Sequence, residues 1–218
     1  MRDKTVQRPK GGRAFAQNSD GSLKFQQVYF VLDTEFRLLW IGGEWDEFAL
    51  SNAGEAARSN EVLATSLLDH IADEETRRIT RTIVETVVEM QEAFRIDYRC
   101  DSPSMLRRFH MTVQPMKDSR VLVVHDLRDA QSFPAPLKVW VHTPEAEDQK
   151  CTFCHAVRPA GQEWITADDL GEAHPARVAF TVCASCNGLV EEALAALRAR
   201  KKPTGALTAG FGPKAERS

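Results

Sequence analysis

The sequence predicts an α+β fold: an antiparallel five-stranded sheet with helices on one face, followed by a smaller cysteine-rich module of β-hairpin and helix. Three observations predict it. Two strand-length apolar runs meet at a polar turn and give way to a helical period. Three later runs alternate apolar with polar side chains, as strands with one covered face do. Beyond residue 150, two Cys-x-x-Cys pairs precede an amphipathic stretch.

The first strand is FQQVYFVLD, Phe25 to Asp33, and the second is FRLLWI, Phe36 to Ile41. Asp33, Thr34 and Glu35 form the turn between them, and Gly42 and Gly43 end the second strand. In GEWDEFALSNAG the spacing of Trp45, Phe48 and Ala49 is helical, and Asn52 with Gly54 closes that segment. A short apolar helix is expected around Leu63 to Ile71. Asp73 then caps a longer helix in which Ile79, Ile83, Val84, Val87 and Met90 face inward, while Glu74 and Glu75 complement the dipole in its first turn. Those apolar residues are core. Phe94, Ile96, Tyr98 and Cys100 mark the third strand, and Phe109, Met111 and Val113 the fourth. RVLVVHDL, Arg120 to Leu127, is a continuous apolar run suited to a central strand. Cys100 falls in the core-facing set and reads as a buried, inert residue.

CTFC at Cys151 to Cys154 and CASC at Cys183 to Cys186 are separated by 28 residues. Four thiolates in two such pairs are the ligand set of a structural zinc, and one zinc per chain is expected on Cys151, Cys154, Cys183 and Cys186. NGLVEEALAALRARKK continues from the second pair with Leu189, Val190, Ala193, Leu194 and Leu197 on one face, so Cys183 and Cys186 open a helix, whose N-terminus favours thiolate. A CxxC turn, a short hairpin and a second CxxC opening a helix make up a zinc ribbon or treble clef. Arg158 and Arg177 are placed in sequence to offset the excess negative charge of four thiolates. Other chemistries compete for these cysteines. His155 completes CTFCH, the attachment signature of haem c, but that normally requires export, and the N-terminal residues carry no apolar signal-type run. The expected compartment is the cytoplasm, which also disfavours disulfides. A redox sensor whose thiolates oxidise and release metal stays open as an alternative.

A chain of 218 residues with 43% hydrophobic side chains builds one or two cores, and no apolar run reaches the length of a membrane span. The net charge of −3 is uneven: residues 1–13 and 198–218 together carry +9 and leave −12 for the middle. Basic tails suit nucleic acid or an acidic partner, but charges this dispersed are better read as solvation of disordered segments. The expected organisation is a disordered basic tail over 1–22, a sheet domain over 23–130, a linker over 131–150, the cysteine module over 151–200, and a second basic tail over 201–218. Pro134, Pro136 and Pro144 break helices in the linker, where Lys138 to His142 is a candidate strand and Trp140 a packing residue.

The stretch RCDSPSMLRRFHM, Arg99 to Met111, is the part of the sheet with functional-looking chemistry. Asp101, Ser102 and Pro103 make a turn, and Arg99, Arg107 and Arg108 beside it form a candidate contact for an anion or an acidic partner. Alternatively, Asp101 pairs with one arginine and fixes the hairpin.

The order of two strands, helices and three strands resembles a PAS domain over about Phe25 to Ala130. VLDTEFRLLWIGG resembles the first PAS hairpin, SLLDHIADEETRR the helical connection and VLVVHDLRDA the terminal strand. GEWDEFALSNAG and RCDSPSMLRRFHM are similar to a group of bacterial PAS-like proteins of the RCDSP type. In that group a CxxC module, like this one with Trp164 between its pairs, can follow the domain. The resemblance implies sensing and signalling, a homodimer, and a pocket between helices and sheet whose ligand is unknown. His70, in the helical connection, is the candidate axial ligand should the pocket hold haem. A flavin photoreceptor needs a reactive Cys after Trp45, and that stretch has none.

The motifs of nucleotide hydrolases, serine hydrolases, zinc proteases and kinases do not occur. The expectation is a non-enzymatic regulatory protein whose cysteine module binds a signalling protein partner. The alternative is a nucleic-acid-binding transcriptional regulator with RARKK, Arg198 to Lys202, on phosphates.

Overall fold

Strands β1 (Gln27–Leu32) and β2 (Leu38–Gly43) form the opening hairpin. A computed structural model describes residues 27–200 apart from 53, 103, 134–136, 138 and 167–175, so both expected basic tails lie outside the described residues. Asp33 makes the turn, its Oδ1 accepting the N–H groups of Glu35 and Arg37 at 2.9 Å while Phe36 takes a φ of 63°. Gly43 ends β2 with a φ of +74°, and a Cβ there would stand 2.2 Å from the Gln27 carbonyl oxygen.

Helix α1 (Trp45–Ser51) follows, and Trp45 Nε1 donates to the Ala57 carbonyl at 2.7 Å. Asp46 accepts the Ser59 N–H at 2.6 Å and so caps the short α2 (Ser59–Val62). The helix expected at Leu63 to Ile71 is a different structure. Ala64 N donates to Leu38 O at 2.8 Å and Leu38 N donates to Thr65 O at 2.9 Å, which lays this stretch along the open edge of β2. Only a 3-10 turn, Leu67–His70, remains helical. Main-chain groups at a sheet edge took the hydrogen bonds that a helix would have made internally.

Helix α3 (Glu74–Met90) begins at the predicted cap, where Asp73 Oδ1 accepts the Thr76 N–H at 2.8 Å, and it ends on Gln91 in the left-handed region. Ile79, Ile83, Val84 and Val87 are buried on one stripe. Strands β3 (Phe94–Arg99), β4 (Met105–Pro115) and β5 (Val121–Ser132) complete an antiparallel sheet in the order β2-β1-β5-β4-β3, with the apolar β5 at its centre. Phe30, Leu32, Val113, Val121 and Val123 meet the α3 stripe.

A second, small sheet has the order β6-β9-β7-β8, from β6 (Val141–His142), β7 (Gln149–Cys151), β8 (Val157–Arg158) and β9 (Arg177–Thr181). Within the expected linker, residues 141 and 142 pair in parallel with β9. Helix α4 (Ala184–Ala199) buries Cys186, Val190, Leu194 and Leu197 at spacings of three and four. Leu189, expected on that face, is 59% exposed because it lies a quarter-turn from the stripe. The α4 stripe joins the same core as Ile79, Ile83 and Val87, so the two sheets share one apolar interior. Among the described residues no helix is long and apolar enough to cross a membrane.

Candidate functional site

Cys151 ends β7 and Cys154 lies in the turn between β7 and β8, while Cys183 is the N-cap of α4 and Cys186 lies in its first turn. The turn closes tightly because His155 takes a φ of 62°, letting its N–H reach Cys151 O at 3.1 Å and Cys151 N reach Ala156 O at 2.9 Å. The four Sγ atoms lie within 4.8 Å of one another, and those of Cys154 and Cys183 are 3.8 Å apart. Thiolates arranged tetrahedrally at zinc–sulfur bonds of about 2.3 Å stand about 3.8 Å apart, so the set fits one metal ion. Among the described residues no cysteine is joined in a disulfide. Thiol hydrogen bonds from Cys154 and Cys186, with the Cys183 N–H at 3.4 Å, hold Cys151 well below the ordinary thiol range against the opposing effect of burial.

Beside the metal set, the RCDSP turn connects three parts of the chain. Asp101 accepts from Arg99 Nη2 at 2.6 Å and from the Arg107 main-chain N–H at 2.9 Å, and its Oδ2 is 3.3 Å from His155 Nδ1. Burial pushes the Asp101 carboxyl up, but His155, Arg99 and the Arg107 N–H outweigh it and bring it down to about 2. Burial pushes His155 down, opposed by its hydrogen bond to Asp101. Arg107 is 2% exposed: its Nε donates to Cys100 O at 2.6 Å, its Nη2 donates to Asn52 Oδ1 at 2.6 Å, and its guanidinium lies 5.1 Å from the Phe48 ring centre. Two motifs far apart in sequence, GEWDEFALSNAG and RCDSPSMLRRF, thus bind each other through Arg107. On the opposite side, Arg99 N donates to Phe153 O at 2.7 Å, which fastens the cysteine turn to β3.

The three arginines therefore do not form one cluster. Arg99 is held by Asp101, Arg107 is buried against α1, and Arg108 stands on the exposed side with Asp129 at 3.1 Å. The pairing of Asp101 with one arginine, foreseen as the alternative, is what the turn contains. Arg158 donates to Gln149 Oε1 at 2.6 Å and lies over Trp164, while Arg177 is exposed at the start of β9. The buried cation next to the cysteines is Lys150, 5% exposed, with its Nζ 5.6 Å from the Trp140 ring centre and 5.5 Å from that of Phe180. Burial pushes Lys150 down to about 8, opposed by Asp101, Cys100 and Cys151. Sequence reading missed it because its aromatic neighbours lie 10 and 30 positions away.

Between the large sheet and α1 is a cavity of about 420 Å³, with Phe30, Trp45, Phe48, Phe109 and Met111 in its wall. His70 lines it, with Nε2 at 2.6 Å from Thr65 Oγ1. Cys100 also lines it, and burial pushes its thiol up.

No protein-family model and no curated protein matches the chain. Among solved structures the chain is similar to a domain of an HTR-like protein from Haloarcula marismortui, at 15% identity, over 47% of this chain and 98% of that one, with a TM-score of 0.36.

Proposed function

We propose that the protein is a non-enzymatic regulatory protein in which a PAS-like sensor domain is coupled to a structural four-thiolate zinc module that binds a signalling protein partner. The observation that carries this reading is the convergence of four Sγ atoms at the start of a helix whose apolar stripe belongs to the sheet domain's own core. A metal held there orders α4 against α3 and β3, and Arg198 Nη2 adds a bond to Thr86 Oγ1 at 3.0 Å. The opening hairpin and the apolar last strand belong to one five-stranded antiparallel sheet with α3 packed on it, which supports the sensor half. The nucleic-acid alternative draws less support, because Arg198 of the basic run is engaged with α3.

Elemental analysis of protein purified without added metal, under reducing conditions, tests the reading. About one zinc per chain is expected. Iron with a Soret band, or no metal, would overturn the zinc assignment. For the partner, co-purification whose salt dependence is shallow agrees with a protein, whereas steep loss with salt would indicate nucleic acid.

A further inference from the structure

The cavity beside α1 is not closed off from the cysteine module. A second cavity of about 160 Å³ shares Leu67, Thr80, Tyr98, Met111 and His125 with the first and adds Thr152 and Phe153 of the cysteine turn to its wall. Thr152 is fixed in that position, since its Oγ1 is 2.7 Å from Thr76 Oγ1 on α3. Where the two cavities meet, Tyr98 Oη and His125 Nδ1 are hydrogen-bonded at 2.8 Å.

The lining has a definite chemical character. Among the described residues no Asp, Glu, Lys or Arg lines either cavity. Of the titratable groups facing the space, burial pushes His125 down to about 4 and the Tyr98 and Cys100 side chains up, and His70, bonded to Thr65, stands in the wall of the larger cavity away from the junction with the smaller one. A charged guest at the junction would lose its hydration and find no carboxylate, ammonium or guanidinium there to pair with. The Tyr98–His125 pair offers one donor and one acceptor whichever tautomer the imidazole takes, because the ring nitrogen and the hydroxyl not used between them stay available. The larger volume alone is within the range of small-molecule sites.

We propose that this pair of cavities binds an uncharged, mostly apolar small molecule that hydrogen-bonds the Tyr98–His125 pair and rests against Phe153, so that the cysteine turn senses its presence. The inference rests on the sensor reading above and supplies the ligand class and the route by which the metal module responds. Phe153 O holds β3 through Arg99 N, and Phe153 directly precedes the ligand Cys154. A guest pressing on the Phe153 ring therefore acts on a segment tied at both ends.

The test uses the full chain and two fluorescent probes of one skeleton, neutral N-phenylnaphthylamine and the anionic anilinonaphthalene sulfonate. The neutral probe is expected to bind at least about ten-fold more tightly than its sulfonate. Thr80→Phe, which fills the junction, should abolish binding, while Leu39→Ser on the exposed part of β2 should leave it unchanged. Bound probe should change the rate at which iodoacetamide labels Cys154 by about three-fold or more, and Phe153→Ala should remove that response. Equal affinity for the two probes, binding indifferent to Thr80→Phe, or unaltered Cys154 labelling would each overturn the inference. Labelling proceeds with or without metal, so a chain lacking zinc ends the metal assignment separately and leaves the cavity test intact.

Discussion

Asp101 Oδ2 and His155 Nδ1 lie 3.3 Å apart, joining the turn between β3 and β4 to the residue after the first cysteine pair. Each belongs to a motif conspicuous in the sequence, and neither motif suggested the other. The contact makes the RCDSP turn a structural joint between sheet and cysteine module.

Stability should depend on pH through this joint. Asp101 has its carboxyl brought from 3.8 to about 2 in the folded protein, so it stabilises the fold above pH ~4 and that contribution disappears as the pH falls from about 4 to about 2. Asp101→Asn should therefore unfold at lower urea than the wild type at pH 7, by about 2 kcal/mol, with the gap closing as the pH falls through that window. Metal loss in acid affects both proteins, so their difference isolates Asp101. A gap that does not vary with pH would show that the carboxylate charge is unimportant.

Arg107 fills a role its neighbours cannot take over. Its planar fork bonds Cys100 O and Asn52 Oδ1 while lying against Phe48. Arg107→Ala should cost about 2–4 kcal/mol in urea unfolding, and Arg107→Lys should recover less than half of it, because an ammonium cannot hold both acceptors and the ring. Arg108→Ala, at a 57% exposed side chain, should change stability by less than about 0.5 kcal/mol.

Removal of metal from the full chain should lower the temperature of the whole unfolding transition. Cys183, Cys186, Val190, Leu194 and Leu197 belong to the same core as Ile79 and Val87, so the module should not melt on its own. A fall of roughly 10 °C is expected, given about 2–4 °C per kcal/mol for a chain of this size and several kcal/mol from the metal. Calorimetry showing two separated transitions would contradict the shared core.

Two glycines should respond in opposite directions to alanine. Gly188 lies inside α4 with open space where an alanine Cβ would point, so Gly188→Ala should stabilise by about 0.5–1 kcal/mol. Gly43 has positive φ and its Cβ would strike the Gln27 carbonyl, so Gly43→Ala should destabilise by about 1–3 kcal/mol. Thermal unfolding of both variants checks the pair.

Much of this fold was legible in the sequence because its signals are local. The cap at Asp73, the stripe through Ile79 and Ile83, the alternation in β3 and the apolar β5 follow from periods of 3.6 and 2. The cysteine set was legible from spacing alone. What escaped depends on partners distant in the chain. The segment around Ala64 turns out of helix, with Ala64 at a φ of 66°, because Leu38 presents open main-chain groups, and Arg107 is buried because Asn52 and Phe48 meet it from the α1 side. Lys150 looked like any surface lysine until Trp140 and Phe180 flanked it.

The bonds from Leu38 to the 64–65 segment and from Arg99 to Phe153 fall on the two outermost strands of the large sheet. An outer strand with free main-chain groups is a template on which other chains can add and aggregate, and both of these are partly sealed by the protein's own backbone. The seal on β3 belongs to the cysteine turn. Oxidative damage to those thiols would therefore favour aggregation, since a loosened turn uncovers a strand ready to pair with a neighbouring molecule.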